Sequence, residues 1–91
     1  MSICVRIPTP LRKFTEGVAE LEADGANVGE VLDTLCGQYG EFKSRLFKED
    51  GSLNRFVNVF VNEEDIRFGD DLKTAVKDGD EISIIQAVAG G

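Results

Sequence analysis

The 91-residue sequence predicts an α+β fold in which a mixed sheet of four to five strands packs on one helix. Three observations predict it. Segments near both ends and in the second half alternate apolar and polar residues with the period of two that marks a half-buried strand. One stretch, residues 28–39, repeats its apolar side chains at helical spacing. That stretch lies between two pairs of strand-like segments, an order that does not build a repeating βαβ architecture.

Ile3-Cys4-Val5-Arg6-Ile7 reads as the first strand and stops at Pro8-Thr9-Pro10, which cannot continue a paired strand. Residues 18–23 read as the second and end at Asp24-Gly25, a turn pair whose glycine accepts positive φ. These two are expected to pair as a hairpin. Asn27 followed by Glu30 has the spacing of a capping box, so a helix starts there. Val28, Val31, Leu32, Leu35, Cys36 and Tyr39 form its apolar face, and Gly40 offers its C-terminal stop.

Residues 41–54 are polar with Phe42, Leu46 and Phe47 interspersed, which predicts a short helical turn followed by a loop with a turn at Asp50-Gly51-Ser52. The strongest strand covers residues 55–61, with Val57, Val59 and Val61 towards the helix and Phe56, Asn58 and Phe60 away from it. A short edge-like piece, Asp65-Ile66-Arg67-Phe68, precedes a polar stretch anchored by Leu72 and Val76. The Asp78-Gly79-Asp80 turn opens the last strand, residues 81–86, which feeds into Ala87-Val88-Ala89-Gly90-Gly91. With the first and last strands side by side in the middle of the sheet, this is a β-grasp, the ubiquitin-like arrangement. A single domain spans residues 1–91, with 87–91 as a flexible tail.

Composition removes whole classes of function. The formal net charge of −7 opposes phosphate binding, so nucleic acid is not an expected partner. No apolar run approaches the roughly 20 residues that span a bilayer, and the N-terminus lacks a signal-peptide layout. A cytoplasmic protein without a membrane partner is the expectation. The chain has no histidine, which eliminates Cys-His and Ser-His nucleophilic sites and any histidine-containing zinc site. No catalytic or metal-binding residue is therefore expected, and no bound cofactor. Cys36 belongs to the helix's apolar face and reads as core, and Cys4 points away from Ile3, Val5 and Ile7 and reads as a more exposed structural thiol.

The chemistry that remains is at the C-terminus. Glycines lack a Cβ, so Gly90 and Gly91, preceded by the small Ala89, can thread a narrow slot and present the terminal carboxylate to a buried reagent. An α-carboxyl with a pKa of about 3.3–3.7 is an anion at neutral pH and acylates nothing until its oxygen becomes a leaving group. ATP-dependent adenylation by a partner enzyme would supply that step.

These residues carry a resemblance. Residues 55–62, Glu64-Asp65-Ile66-Arg67-Phe68, Asp78-Gly79-Asp80 and especially Ala87-Val88-Ala89-Gly90-Gly91 resemble the ThiS/MoaD family of sulfur carriers, nearest to its CysO-type branch. The resemblance implies that an E1-like adenylyltransferase/sulfurtransferase uses ATP to adenylate Gly91 and that a sulfur donor converts it to a thiocarboxylate. In the CysO-type branch the acceptor is a PLP-dependent cysteine synthase-like enzyme, and a metallopeptidase releases the product. MoaD-like members instead supply molybdopterin synthase, ThiS-like members supply thiazole synthesis, and modifier relatives form isopeptide conjugates.

Two surfaces are candidates for partner contact. Phe56, Phe60 and Ile85 alternate away from the core and would form an apolar docking patch on the helix-free face. Glu63, Glu64, Asp65, Asp70 and Asp71 could steer the chain towards a basic enzyme surface.

Overall fold

In a computed structural model that describes residues 2–54 and 56–86, the chain folds into a five-stranded mixed sheet with its helices packed against one face. The strands are β1 (Ser2–Arg6), β2 (Glu20–Asp24), β3 (Val57–Val61), β4 (Glu64–Asp65) and β5 (Glu81–Gln86), in the spatial order β2-β1-β5-β3-β4. β1 pairs with β2 antiparallel and with β5 parallel, and β3 pairs antiparallel with β5 and β4. The fold is the ubiquitin-like β-grasp that the pattern predicts, and the first and last strands do meet at its centre.

Alternation sets which side chains reach the core. Ile3 and Val5 of β1, Val57 and Val59 of β3, and Ile82 and Ile84 of β5 are buried on one face of the sheet. Helix α1 (Val28–Gln38) lays Val28, Val31, Leu32, Leu35 and Cys36 over them. Its start is held by the predicted capping box, with the Glu30 N–H donating to Asn27 Oδ1 at 2.8 Å. Glu30 returns the contact one residue further out, accepting from the Ala26 N–H at 2.9 Å.

Three local expectations are corrected. α1 ends at Gln38 with Tyr39 as its cap, just before Gly40 as read, but Gly40 opens a second α-helix, α2 (Gly40–Leu46). The expected helical turn is thus seven residues long, because Phe42 and Leu46, one turn apart, are both fully buried and draw the segment onto the core. Gly25 does not take positive φ; it is small because a Cβ there would lie 2.6 Å from the Val31 backbone nitrogen. The piece at 65–68 is only briefly a strand: Glu64–Asp65 bridges β3, and Ile66–Phe68 turns as a 3-10 helix once the Asp65 carboxylate accepts from the Arg67 N–H at 2.9 Å.

Shifts elsewhere are smaller. The first strand starts and ends one residue earlier than predicted, the second starts at Glu20 and the third at Val57. Between β1 and β2 a 3-10 helix, Thr9–Thr15, buries Leu11 where the sequence showed only an interruption. The turns at Gly51 and Gly79 form as read, with φ of 88° and 92°.

The close approach at Gly25 gives a direct test. Gly25→Ala forces β2 and α1 apart and should destabilise the fold by about 1–3 kcal/mol in urea unfolding. An unchanged midpoint would show that the approach is looser than the geometry requires.

Candidate functional site

β5 is the middle strand of the sheet, and Gln86, its last residue, lies opposite Val57 of β3. Ladders on both sides and the burial of Ile82 and Ile84 fix the strand's position. Residues 87–91, which end in Gly90-Gly91, follow this central strand directly in the sequence. Ala89, Gly90 and Gly91, and the expected flexible tail over 87–91, lie outside the described residues.

The register places two of the three candidate docking residues together. Phe60 stands opposite Ser83 and Ile85 opposite Asn58, so Phe60 and Ile85 are diagonal neighbours on the face away from α1. Ile85 is exposed and Phe60 half-buried. Phe56 is exposed too, but it precedes β3, and its N–H donates to Asn54 Oδ1 at 3.1 Å. Strand alternation therefore does not set its direction, in contrast to the expectation. Phe42 is in the core and Phe47 packs at its margin.

The rest of that face is polar. Cys4 is flanked in register by Glu22 and Glu81. Arg6 reaches Glu81, Nε to Oε2, at 3.2 Å, and both side chains are largely open to solvent, so the pair adds little stability. The Cys4 thiol donates to Glu20 Oε2 at 3.7 Å, and partial burial, Glu20 and Glu81 all raise its pKa. Burial pushes the Cys36 thiol up to about 11. Both cysteines are free thiols in structural positions, as read from the sequence.

The acidic candidates lie elsewhere. β3 and β5 are antiparallel, so the turn at Asn62-Glu63 sits at the end of the sheet where β5 begins, opposite the end from which residues 87–91 continue. Glu63, Glu64 and Asp65 are at this far end. Asp70 caps and Asp71 opens the 3-10 helix Asp71–Lys73, whose Leu72 meets Gly29 at the start of α1. Asp65 is not a free charge: Arg67 holds it with an Nη2–Oδ2 contact of 2.8 Å and keeps its carboxyl below the ordinary range.

One exposed residue escaped the sequence reading. Phe68, taken as part of an edge strand, is 91% exposed at the end of the 3-10 helix that begins at Ile66. Asp65 two residues before Arg67 was the available signal for that turn, since such a carboxylate caps the N–H of the residue two on. Among the described residues no group of three or more His, Cys, Asp or Glu could hold a metal ion. Nor is any described helix long and apolar enough to cross a membrane.

The geometry defines a class: a ubiquitin-like β-grasp protein whose central strand leads directly, in sequence, to a terminal Gly-Gly. The chain belongs to the ThiS family, whose model matches residues 5–91. It is 44% identical to the sulfur carrier protein CysO of Mycobacterium tuberculosis, over the whole of both chains. Among solved structures, that of the Amycolatopsis orientalis BexX/CysO complex matches with a TM-score of 0.90 and 48% identity, covering 98% of this chain and 99% of that one. Small archaeal modifier protein 1 of Haloferax volcanii matches with a TM-score of 0.86 and 31% identity over the full length of both.

The thiols supply a pH test. Cys36 stays protonated in the fold up to about 11, whereas a thiol released by unfolding ionises near 9.0. The folded state then binds the extra proton between those values, so stability is full below pH 9 and falls as pH rises towards 11. Cys36→Ala should flatten that decline in urea midpoints measured across the range, and an equally steep decline in the variant would assign it to other groups.

Proposed function

We propose that this protein is a sulfur carrier. An E1-like partner joins the Gly91 carboxylate oxygen to the α-phosphorus of ATP, releasing pyrophosphate. A sulfur nucleophile supplied by that partner then attacks the acyl carbon and expels AMP, leaving a C-terminal thiocarboxylate. The carrier itself contributes no catalytic residue. It contributes a carboxylate on a chain end narrow enough to thread, and a surface that partners recognise.

The observation that carries this reading is the extent of the family match, which runs from residue 5 through residue 91 and so includes the terminal glycines. End-to-end identity of 44% with a protein named as a sulfur carrier supports it. The relatives named CysO, together with the Ala87-Val88-Ala89-Gly90-Gly91 ending, favour cysteine as the product. A PLP-dependent synthase would then accept the sulfur, and a metallopeptidase would free the finished amino acid. The full-length likeness to an archaeal modifier protein favours one second reading, transfer of the same activated Gly91 to a lysine.

Intact-mass spectrometry of the chain isolated from its own cells separates the two. A carrier shows one oxygen replaced by one sulfur at Gly91, whereas a modifier shows a ladder of conjugates; unmodified chain alone would overturn both. Deleting Gly91 should abolish ATP-dependent pyrophosphate release with the cognate activating enzyme.

The helix-free face is the surface we assign to that enzyme. Phe60→Ser should raise the KM of activation by roughly tenfold while leaving kcat and folding intact. An unchanged KM would remove Phe60 from the interface.

A further inference from the structure

At the far end of the sheet a groove of about 810 Å³ opens between the β3–β4 turn, the exposed ring of Phe68 and the segment that leads into β5. Phe60, Phe68 and Ala75 give it an apolar side, and Glu63, Glu64 and Asp80 outnumber Lys77 on its charged one. Its floor is preformed. Asn62 Nδ2 donates to Asp80 Oδ1 at 3.0 Å, the Lys77 N–H donates to Asp80 Oδ2 at 2.9 Å, and the Glu81 N–H donates to Asn62 Oδ1 at 3.0 Å. The Asn62 side chain and the Lys77 N–H hold the Asp80 carboxyl below its ordinary range, so it is charged at neutral pH. Thr74 Oγ1, buried and without a hydrogen-bond partner among the described residues, sits in the wall.

We propose that this groove docks a basic amphipathic segment of a partner protein, with Phe68 as the apolar anchor and the acidic side pairing with lysine or arginine. Charge selects the occupant. Residues 62–80 carry seven acids against three bases, a net −4 of the chain's −7, and one of those bases, Arg67, is already held by Asp65. An acidic or neutral peptide would leave these carboxylates desolvated without partners, whereas a basic one satisfies them. A nearly fully exposed phenylalanine beside half-buried Phe60 gives an apolar segment a place to bury area that scattered surface charge would not.

Docking here leaves the tail end of the sheet open but shares Phe60 with the face assigned to the activating enzyme, so the test rests on Phe68, which lies outside β3 and β5. The probe is a short peptide of alternating lysine and leucine, titrated into the ¹⁵N-labelled full chain and followed by amide shifts. Shifts should be confined to residues 60–80, Phe68→Ser should weaken binding about tenfold, and a lysine–serine peptide should bind more weakly by a similar factor. Phe68 is 91% exposed, so its replacement leaves the core intact. A chain lacking Gly90 and Gly91 should bind as the full chain does. The proposal fails if Phe68→Ser binds equally well, if the lysine–serine peptide matches the lysine–leucine one, if shifts centre on the acidic β2 edge, or if removing the glycines abolishes binding.

Discussion

The parallel pairing of β1 with β5 is the constraint on which the rest of this structure depends. A parallel pair cannot be closed by a tight turn, and these two strands are the first and last of the chain, so everything from Ile7 to Asp80 serves as their connection. Cys4, Val5 and Arg6 meet Glu81, Ile82 and Ser83 across that gap. Both strands need their Ile and Val side chains covered, and α1 and α2 provide the cover from within the connection itself. Loop closure over such a separation costs chain entropy that the β1–β5 contacts and their helical cover must offset.

Function depends on the same sheet. β5 is paired on both edges over Glu81, Ile82 and Ser83, and from Ile84 to Gln86 the β3 ladder holds the end from which residues 87–91 continue in the sequence. A partner that grips the sheet thereby sets where the terminal carboxylate begins its reach, and beyond Val88 only Ala89, Gly90 and Gly91 precede that carboxylate. The thiols take no part in this arrangement. Cys36 is held protonated by burial and Cys4 by burial and two neighbouring carboxylates, so neither competes as a nucleophile near the helix-free face.

Much of this was legible in the sequence because it rests on period and on short-range hydrogen bonding. The alternation of Val57 and Val59 and of Ile82 and Ile84, the helical spacing from Val28 to Cys36 and the Asn27–Glu30 cap all express contacts within a few residues, and the structure realises each. What was not legible depended on tertiary contact. Gly40 read as a stop because it is the glycine that follows the helical repeat, and α1 does end before it, yet burial of Phe42 and Leu46 makes the same glycine the start of α2. Gly25 looked like a turn glycine, and only the approach of Val31 shows why no side chain fits. Phe68 read as strand because a capping carboxylate and a strand residue look alike in sequence, and its exposure emerges only once Ile66 has claimed the core.

The distribution of charge turns on the same topology. A turn at Asn62-Glu63 and one at Gly79 both fall where β5 begins, since β3 arrives there and β5 departs, and these two turns concentrate acidic residues at that end. At the other end β1 runs out into the 3-10 helix that carries Arg12 and Lys13, and Arg45 of α2 lies over Phe14 of that helix at 4.8 Å from the ring centroid. Arg12, Lys13 and Arg45 thus lie towards the end of the sheet where β1 runs out, and the acidic turns lie at the opposite one. A partner drawn by Glu63 and Glu64 would therefore meet the carrier at the end remote from Gln86, the last residue of β5.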